Sequence, residues 1–197
     1  MAKNMQPILK RCRTLGIEPS VMGIDKSSNR NPKPMRKKQS EYGLQLTEKQ
    51  KVKFIYGMLE KQFRRYYQIA TKMPGIAGEN LLSLLESRLD NVVFRLGLAN
   101  TRRESRQMVN HGHVLVNGKR LDIPSYRVKV GDVITLKEQT QTSDRIKAIV
   151  EANSSRLVPK WLDMDKNTLS GKVIAMAQRD DIDFEVEEHL IVELYSK

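Results

Sequence analysis

The sequence predicts an α+β fold: a helical domain, a second domain of two helices followed by a small antiparallel sheet, and an extended basic N-terminal arm. Three observations predict it. With 197 residues the chain can bury two cores. Two capped helical segments between residues 80 and 112 run straight into an Asn-Gly hairpin. The charge is segregated: residues 1–72 carry 17 basic and 5 acidic side chains, 73–160 carry 14 and 9, and 161–197 carry 4 and 9.

That segregation, within a total of 35 Lys and Arg against 23 Asp and Glu and a net charge of +12, sets a strongly positive end against an acidic one. A protein held to a polyanion by one face shows such polarity, and the acidic C-terminal segment suits a basic neighbour protein. With 39% hydrophobic and 29% charged residues, the chain is too apolar for wholesale disorder and too charged for a membrane protein. No run approaches the ~20 apolar residues of a bilayer crossing, and MAKNMQPILKRCRTLG lacks the apolar core of a signal peptide. A cytoplasmic protein with no membrane partner is therefore expected. Cys12 is the only cysteine, which excludes an intrachain disulfide and any metal site built on cysteine pairs.

Residues 1–45 read as the arm. LKRCR, with Lys10, Arg11 and Arg13, precedes SSNRNPKPMRKKQS, where Pro32 and Pro34 disfavour helix. Arg30, Lys33, Arg36, Lys37 and Lys38 would repel one another in isolation and order on a phosphate backbone. Tyr42 closes the arm as a further candidate contact. From Thr47, a plausible cap with Gln50 three residues on, one amphipathic helix is expected through TEKQKVKFIYGMLEKQFRRYYQIATK. Val52, Ile55, Met58 or Leu59, Phe63, and Tyr66 or Tyr67 make its buried stripe. Lys49, Lys51, Lys53, Lys61, Arg64 and Arg65 make a basic opposite face, the better functional candidate, since aromatics at helical spacing more often pack than stack on bases.

After KMPGIAGE, a second helix is expected through NLLSLLESRLDNVVFRLGL, its stripe Leu82, Leu85, Leu89, Val92 or Val93, and Leu96. Gly97 should end it in the left-handed conformation, with Leu98 folding back. Thr101 and Glu104 form a T-x-x-E capping box opening TRRESRQMVNHG, which Gly112 closes, so the pair is a helix-turn-helix. Then VLV-NG-KRL is a type I′ hairpin, YRVKV a strand with Tyr126, Val128 and Val130 inward, and VITLKE its successor. DRIKAIVEANSSR is helical, and the tail FEVEEHLIVELYSK needs a partner surface on the first helical domain. The expected boundaries are 46–86, completed by 153–197, for the helical domain, and 87–152 for the inserted one.

Phosphate chemistry concentrates at the second capped helix. Arg102, Arg103 and Arg106 converge at its positive N-terminus, and Gln107, His111 and His113 extend the face to Lys119, Arg120, Arg127 and Lys129. On a continuing helix His111 and His113 would point apart, so they read either as nucleic-acid contacts or as structural. With His189 as the only other histidine, a zinc site lacks ligands. Nucleotide-binding glycine motifs, H-E-x-x-H and G-x-S-x-G are all absent, and Asp180, Asp181 and Asp183 read as a solvated acidic loop. No catalytic residue, metal, cofactor or small-molecule substrate is expected.

SRLDNVVFRLGLANTRRESRQMVNHGHVLVNGKRLDIPSYRVKVGD closely resembles the α-L RNA-binding domain of the bacterial small-subunit ribosomal protein S-four family. SEYGLQLTEKQKVKFIYGMLEKQFRRYY, GENLLSLLESRLDNVV, PKWLDMD and EEHLIVELYSK are similar to the same family, so the resemblance runs from about Ser40 to Lys197. It implies a helical domain with the α-L domain inserted. It also implies a primary binder of small-subunit ribosomal RNA, at a multi-helix junction of the 5′ domain, that nucleates assembly of the body and contributes to translational accuracy. Implied partners are neighbouring ribosomal proteins and messenger RNA (mRNA) near the channel by which it enters; some relatives also repress their own messenger. Many relatives bind zinc through N-terminal cysteine pairs, whereas PILKRCRTLG has Cys12 alone and resembles the zinc-free branch. α-L modules also occur in pseudouridine synthases and tyrosyl-tRNA synthetases, but neither the first 80 residues nor the last 50 can house their catalytic domains. A free translational repressor or stress-response RNA binder would use the same basic face, and occupancy in assembled ribosomes separates it from a ribosomal constituent.

Overall fold

The computed structural model describes residues 6–26, 30 and 40–196. In chain order the elements are α1 (Ile8–Leu15), α2 (Glu41–Ile55), α3 (Glu60–Ala70), α4 (Ala77–Glu86), α5 (Leu89–Arg95) and α6 (Arg102–Asn110). There follow β1 (Val114–Val116), β2 (Lys119–Arg120), β3 (Val133–Leu136), α7 (Glu138–Gln141), α8 (Asp144–Ala152), β4 (Leu162–Asp165), β5 (Ser170–Val173) and α9 (Glu188–Ser196). The fold is α+β, and the chain divides into two units, one running to Leu82 and resuming at Asp183, the other spanning Ser83–Ile182.

The first unit is helical, and it begins earlier than the expected arm allows. Residues 8–15 form α1 because Cys12 and Leu15, three apart, share a buried face. Gly16 then takes φ +65° and the Ile17 N–H donates to the Cys12 carbonyl at 3.0 Å, closing the helix. The block Lys33, Arg36, Lys37 and Lys38 lies outside the described residues.

The single helix expected from Thr47 is two. Ser40, not Thr47, caps α2, its Oγ accepting from the Gly43 N–H at 3.2 Å, while Thr47 sits inside the helix and donates to the Gly43 carbonyl at 2.8 Å. Gly57, at φ +62°, breaks the run before α3, a conformation that a side chain would strain. The stripe survives the break: Val52, Ile55, Met58, Phe63 and Tyr66 are buried, and Leu59 turns outward. α9 packs on α2 with Ile191 fully buried. Tyr195 stacks on Tyr67 at 4.7 Å between ring centroids, and the Tyr67 hydroxyl donates to the Val192 carbonyl at 3.4 Å, so both aromatics of the Tyr66-Tyr67 pair are packing residues.

In the second unit the expected long helix is again divided, at Ser87-Arg88. The reason is the segment 124–128, whose carbonyls at Pro124 and Tyr126 accept from the Asp90 and Leu89 N–H groups at 3.1 and 2.8 Å. The Val128 N–H in turn donates to the Ser87 carbonyl at 2.8 Å. YRVKV therefore spends its backbone on the helix junction and forms only an isolated bridge, Arg88 to Arg127, instead of the expected strand. Val128 is buried, but Val130 points out at 56% exposure.

The caps follow the sequence closely. Gly97 at φ +76° is followed by Leu98, buried, whose N–H returns to the Val93 carbonyl at 3.2 Å. The Thr101 hydroxyl accepts from the Glu104 N–H at 3.1 Å, although the Glu104 carboxylate reaches back to the Asn100 N–H at 3.0 Å instead of to Thr101. Asn117 and Gly118, at φ +51° and +76°, make the hairpin turn, and Val116 pairs with Lys119. The antiparallel sheet is ordered β2-β1-β3-β5-β4, with Val116 opposite Ile134 and Ile134 opposite Gly171. Its core joins Leu89, Val92, Leu96 and Val109 from the helices to Val114, Ile134, Leu136 and Val173 from the strands.

The domain boundary expected at 152/153 is corrected to Ile182/Asp183. β4 and β5 complete the sheet. Asn153 Nδ2 donates to the Gly97 carbonyl at 3.1 Å and to Asn100 Oδ1 at 3.0 Å, and the Arg156 guanidinium reaches the Phe94, Ala99 and Asn100 carbonyls at 3.3–3.4 Å. Residues after 152 thus hold the turn of the helix-turn-helix.

Candidate nucleic-acid interface

Beneath α5 and α6 lies a buried polar lattice. Arg95 binds both oxygens of Glu86 at 3.0 Å, and Asn91 Nδ2 donates to the same carboxylate at 2.8 Å. Asn91 Oδ1 accepts from Arg102 Nε at 2.8 Å, which joins α6 to the group. Arg88 forks onto Asp90 at 3.0 and 2.6 Å, and Arg106 lies 3.6 Å from Asp90. Ser105 Oγ, at 2.6 Å, donates to the Asp90 carbonyl. Planar guanidinium against carboxylate is the geometry that makes burial of such charges tolerable. The sequence signal is E-S-R-L-D-N, charges inside an apolar run, which a hydrophobic stripe alone does not explain.

The lattice changes the reading of the three arginines. Arg102, expected at the surface, is 6% exposed, and its guanidinium also lies 4.3 Å from the Phe94 ring. Arg106 is half-buried, and only Arg103 is exposed. Arg103, Gln107, Lys119, Arg120, Arg127 and Lys129 are all exposed, and of these Arg103 and Gln107 stand on α6, which the lattice holds from below. Gly112, at φ +71°, ends α6 and turns the chain, so His111 and His113 come to one cleft, their rings 6.1 Å apart, instead of diverging. Lys137 and Arg145 also line that cleft and were missed, because strand and helix assignments alone did not bring residues 137–145 next to α6.

The helical unit divides its cations likewise. Lys49 and Lys53 converge on Glu60 at 3.0 and 2.8 Å, and Lys51 holds Glu48 at 2.9 Å and the Glu185 carbonyl at 3.3 Å. These three lysines are not the open basic face expected. Burial alone would raise the Glu60 carboxyl, but donors from Lys53, Tyr195 and Lys49 hold it at about 2. Burial and the Glu60 carboxylate push the Tyr195 hydroxyl well above its usual range. Arg64 and Arg65 on α3 are exposed, as are Lys10 and Tyr42. Arg11 is half-buried, and Arg13 folds onto the Leu9 and Arg30 carbonyls, at 3.4 Å each. Cys12 is buried, which pushes its thiol up and keeps it a packing residue.

Two family models match: the S4 domain over residues 87–134 and the ribosomal protein S4/S9 N-terminal domain over residues 3–86. A small ribosomal subunit protein uS4 from Agathobacter rectalis is 58% identical over 197 residues, covering all of both chains. The chain belongs to the uS4 family. Further uS4 relatives from Lachnospira eligens and Fusobacterium nucleatum are 57% and 50% identical, again over the whole of each chain. The S4 match begins at Ser87, where α4 gives way to α5, and so takes in most of the lattice and the whole helix-turn-helix.

Proposed function

We propose that this chain is a structural constituent of the small ribosomal subunit that binds its ribosomal RNA at a multi-helix junction of the 5′ domain. It works in the cytoplasm, without catalytic activity, and nucleates assembly of the body. One observation carries the reading. The exposed cations Arg103, Lys119, Arg120, Arg127 and Lys129 stand on ordered backbone, which suits shape and backbone recognition of folded RNA. Arg103 is on α6 above the buried lattice, Lys119 and Arg120 are on the strand paired with β1, and Arg127 and Lys129 lie beside the segment hydrogen-bonded to the start of α5. Neighbouring small-subunit proteins are partners for the acidic tail, and positioning near incoming mRNA gives a contribution to decoding accuracy. The uS4 relatives, named as small ribosomal subunit proteins, support a place in that subunit beside other ribosomal proteins.

Binding to the folded 5′ domain, beside a length-matched scrambled RNA across a salt series, tests the reading. Tight, strongly salt-dependent binding to the folded domain alone is expected. Equal affinity for both RNAs would leave a general polyanion binder.

A further inference from the structure

The cleft that gathers His111 and His113 has a shape that a flat phosphate-binding surface does not need. It measures about 400 Å³, inside the roughly 300–1,000 Å³ of sites that enclose small molecules. Met108, Ile146 and Ile149, all buried, give it an apolar floor. Arg120, Lys137 and His111, all exposed, line its solvent side. Arg145 also lines it but is held by Glu104 at 2.8 Å, so that pair adds no net charge.

Two features fix the polar groups in place. The Arg120 guanidinium lies so close over Gly112 that a Cβ there would overlap it, which seats the cation in the wall of the cleft. His113 Nδ1 shares a hydrogen bond of 3.0 Å with Thr140 Oγ1, which orients the ring and leaves Nε2 for a ligand. An apolar floor beneath fixed cations matches a flat heterocycle attached to a phosphate.

We propose that this cleft takes one nucleoside monophosphate unit, base against Met108, Ile146 and Ile149 and phosphate on Arg120 and Lys137, supplied as a nucleotide turned out of the bound RNA. Unpaired RNA bases are commonly splayed out and taken up by protein side chains, and the aliphatic floor here offers the base an apolar surface in place of an aromatic one. The inference rests on the proposed RNA-binding role, and its test separates the two.

The full-length protein is titrated with 5′-AMP, inorganic phosphate and adenosine, and its imidazole and methyl NMR signals are followed. AMP is expected to move the His111 and His113 signals together with the Ile146 and Ile149 methyls, and phosphate the imidazoles alone. AMP that leaves the methyls unmoved overturns the cleft as a nucleotide site. In parallel, Ser143→Trp, on the exposed start of α8 and lining the cleft, is expected to weaken binding of the folded 5′ domain about tenfold with an unchanged circular-dichroism spectrum. Gln139→Trp, exposed on α7 and lining the cleft, carries the same comparison should Ser143→Trp fail to fold. AMP binding with undiminished RNA affinity in these variants overturns the RNA source and assigns the cleft to a free mononucleotide. Wild-type protein that does not distinguish folded from scrambled RNA defeats the ribosomal reading, and the AMP titration then decides the cleft alone.

Discussion

Each unit gathers its cations around carboxylates, but the two do it in opposite ways. Around Glu60 in the helical unit the donors are lysines and a tyrosine, and the carboxylate keeps 45% of its side-chain surface in water. Around Glu86 and Asp90 in the sheet-bearing unit the donors are arginines and an asparagine, with both carboxylates buried. Lysine, a strongly hydrated point charge, suits the half-wet site; the guanidinium fork suits the dry one. In a chain this basic, a cation's task is set by the acid its helix brings near. Those that stay exposed at the surface are the ones within reach of an outside polyanion.

The largest expected difference lies between the two carboxylates. Glu86→Ala strands Arg95 in the core and should cost about 3–5 kcal/mol, whereas Glu60→Ala should cost about 1 kcal/mol or less because solvent screens the pair. Urea denaturation of both variants measures this, and equal losses would break the contrast. Arg102→Ala should next remove about 1.5–3 kcal/mol through its bond to Asn91, while Arg103→Ala, at the surface, should stay within about 0.5 kcal/mol. A melting curve for each single variant separates a structural arginine from a contact arginine, which replacing Arg102, Arg103 and Arg106 together cannot do.

The acid limb sharpens the comparison further. The Glu60 carboxyl lies at about 2 in the folded chain against an ordinary 4.5, a depressed value. Its contribution is therefore complete above pH 4.5 and lost as pH falls toward 2. A carboxyl-carbon NMR titration should give a midpoint near 2, and Lys53→Ala should raise it. The smallest effect is on RNA. Arg64→Ala and Arg65→Ala should each reduce the slope of log affinity against log salt by roughly 0.7–0.9, whereas Lys49→Ala and Lys53→Ala should leave it unchanged.

Local signals were legible where backbone chemistry alone decides. Gly97, Thr101, Gly112 and Asn117-Gly118 each do at their positions what their residue types require. The breaks at Gly57 and Ser87-Arg88 were not legible, because hydrophobic periodicity runs across both and tertiary hydrogen bonds from 124–128 make the second. α1 was obscured by the Lys and Arg around Cys12 and Leu15, and β4 and β5 by Asp163, Asp165 and Lys172 on strands of four residues. For the site, Arg103, Arg120 and Arg127 are exposed. Arg102, Lys49 and Lys53 are not legible as buried or paired because their partners, the Asn91 amide oxygen and the Glu60 carboxylate, lie 7–11 residues away on a neighbouring helix, a distance that hydrophobic periodicity does not relate.

The pairing of α2 with α9 also has a timing. About 130 residues separate them, so at translation rates of about 5–20 residues per second the face of α2 that packs on α9 waits roughly 7–26 seconds for its cover. The α5–α6 lattice, by contrast, draws on residues 86–106 and is synthesised within roughly 1–4 seconds. The helical unit is thus the part of the chain closed last, because α9 follows even β5 of the sheet, and truncation before Glu188 should leave α2 without its packing partner.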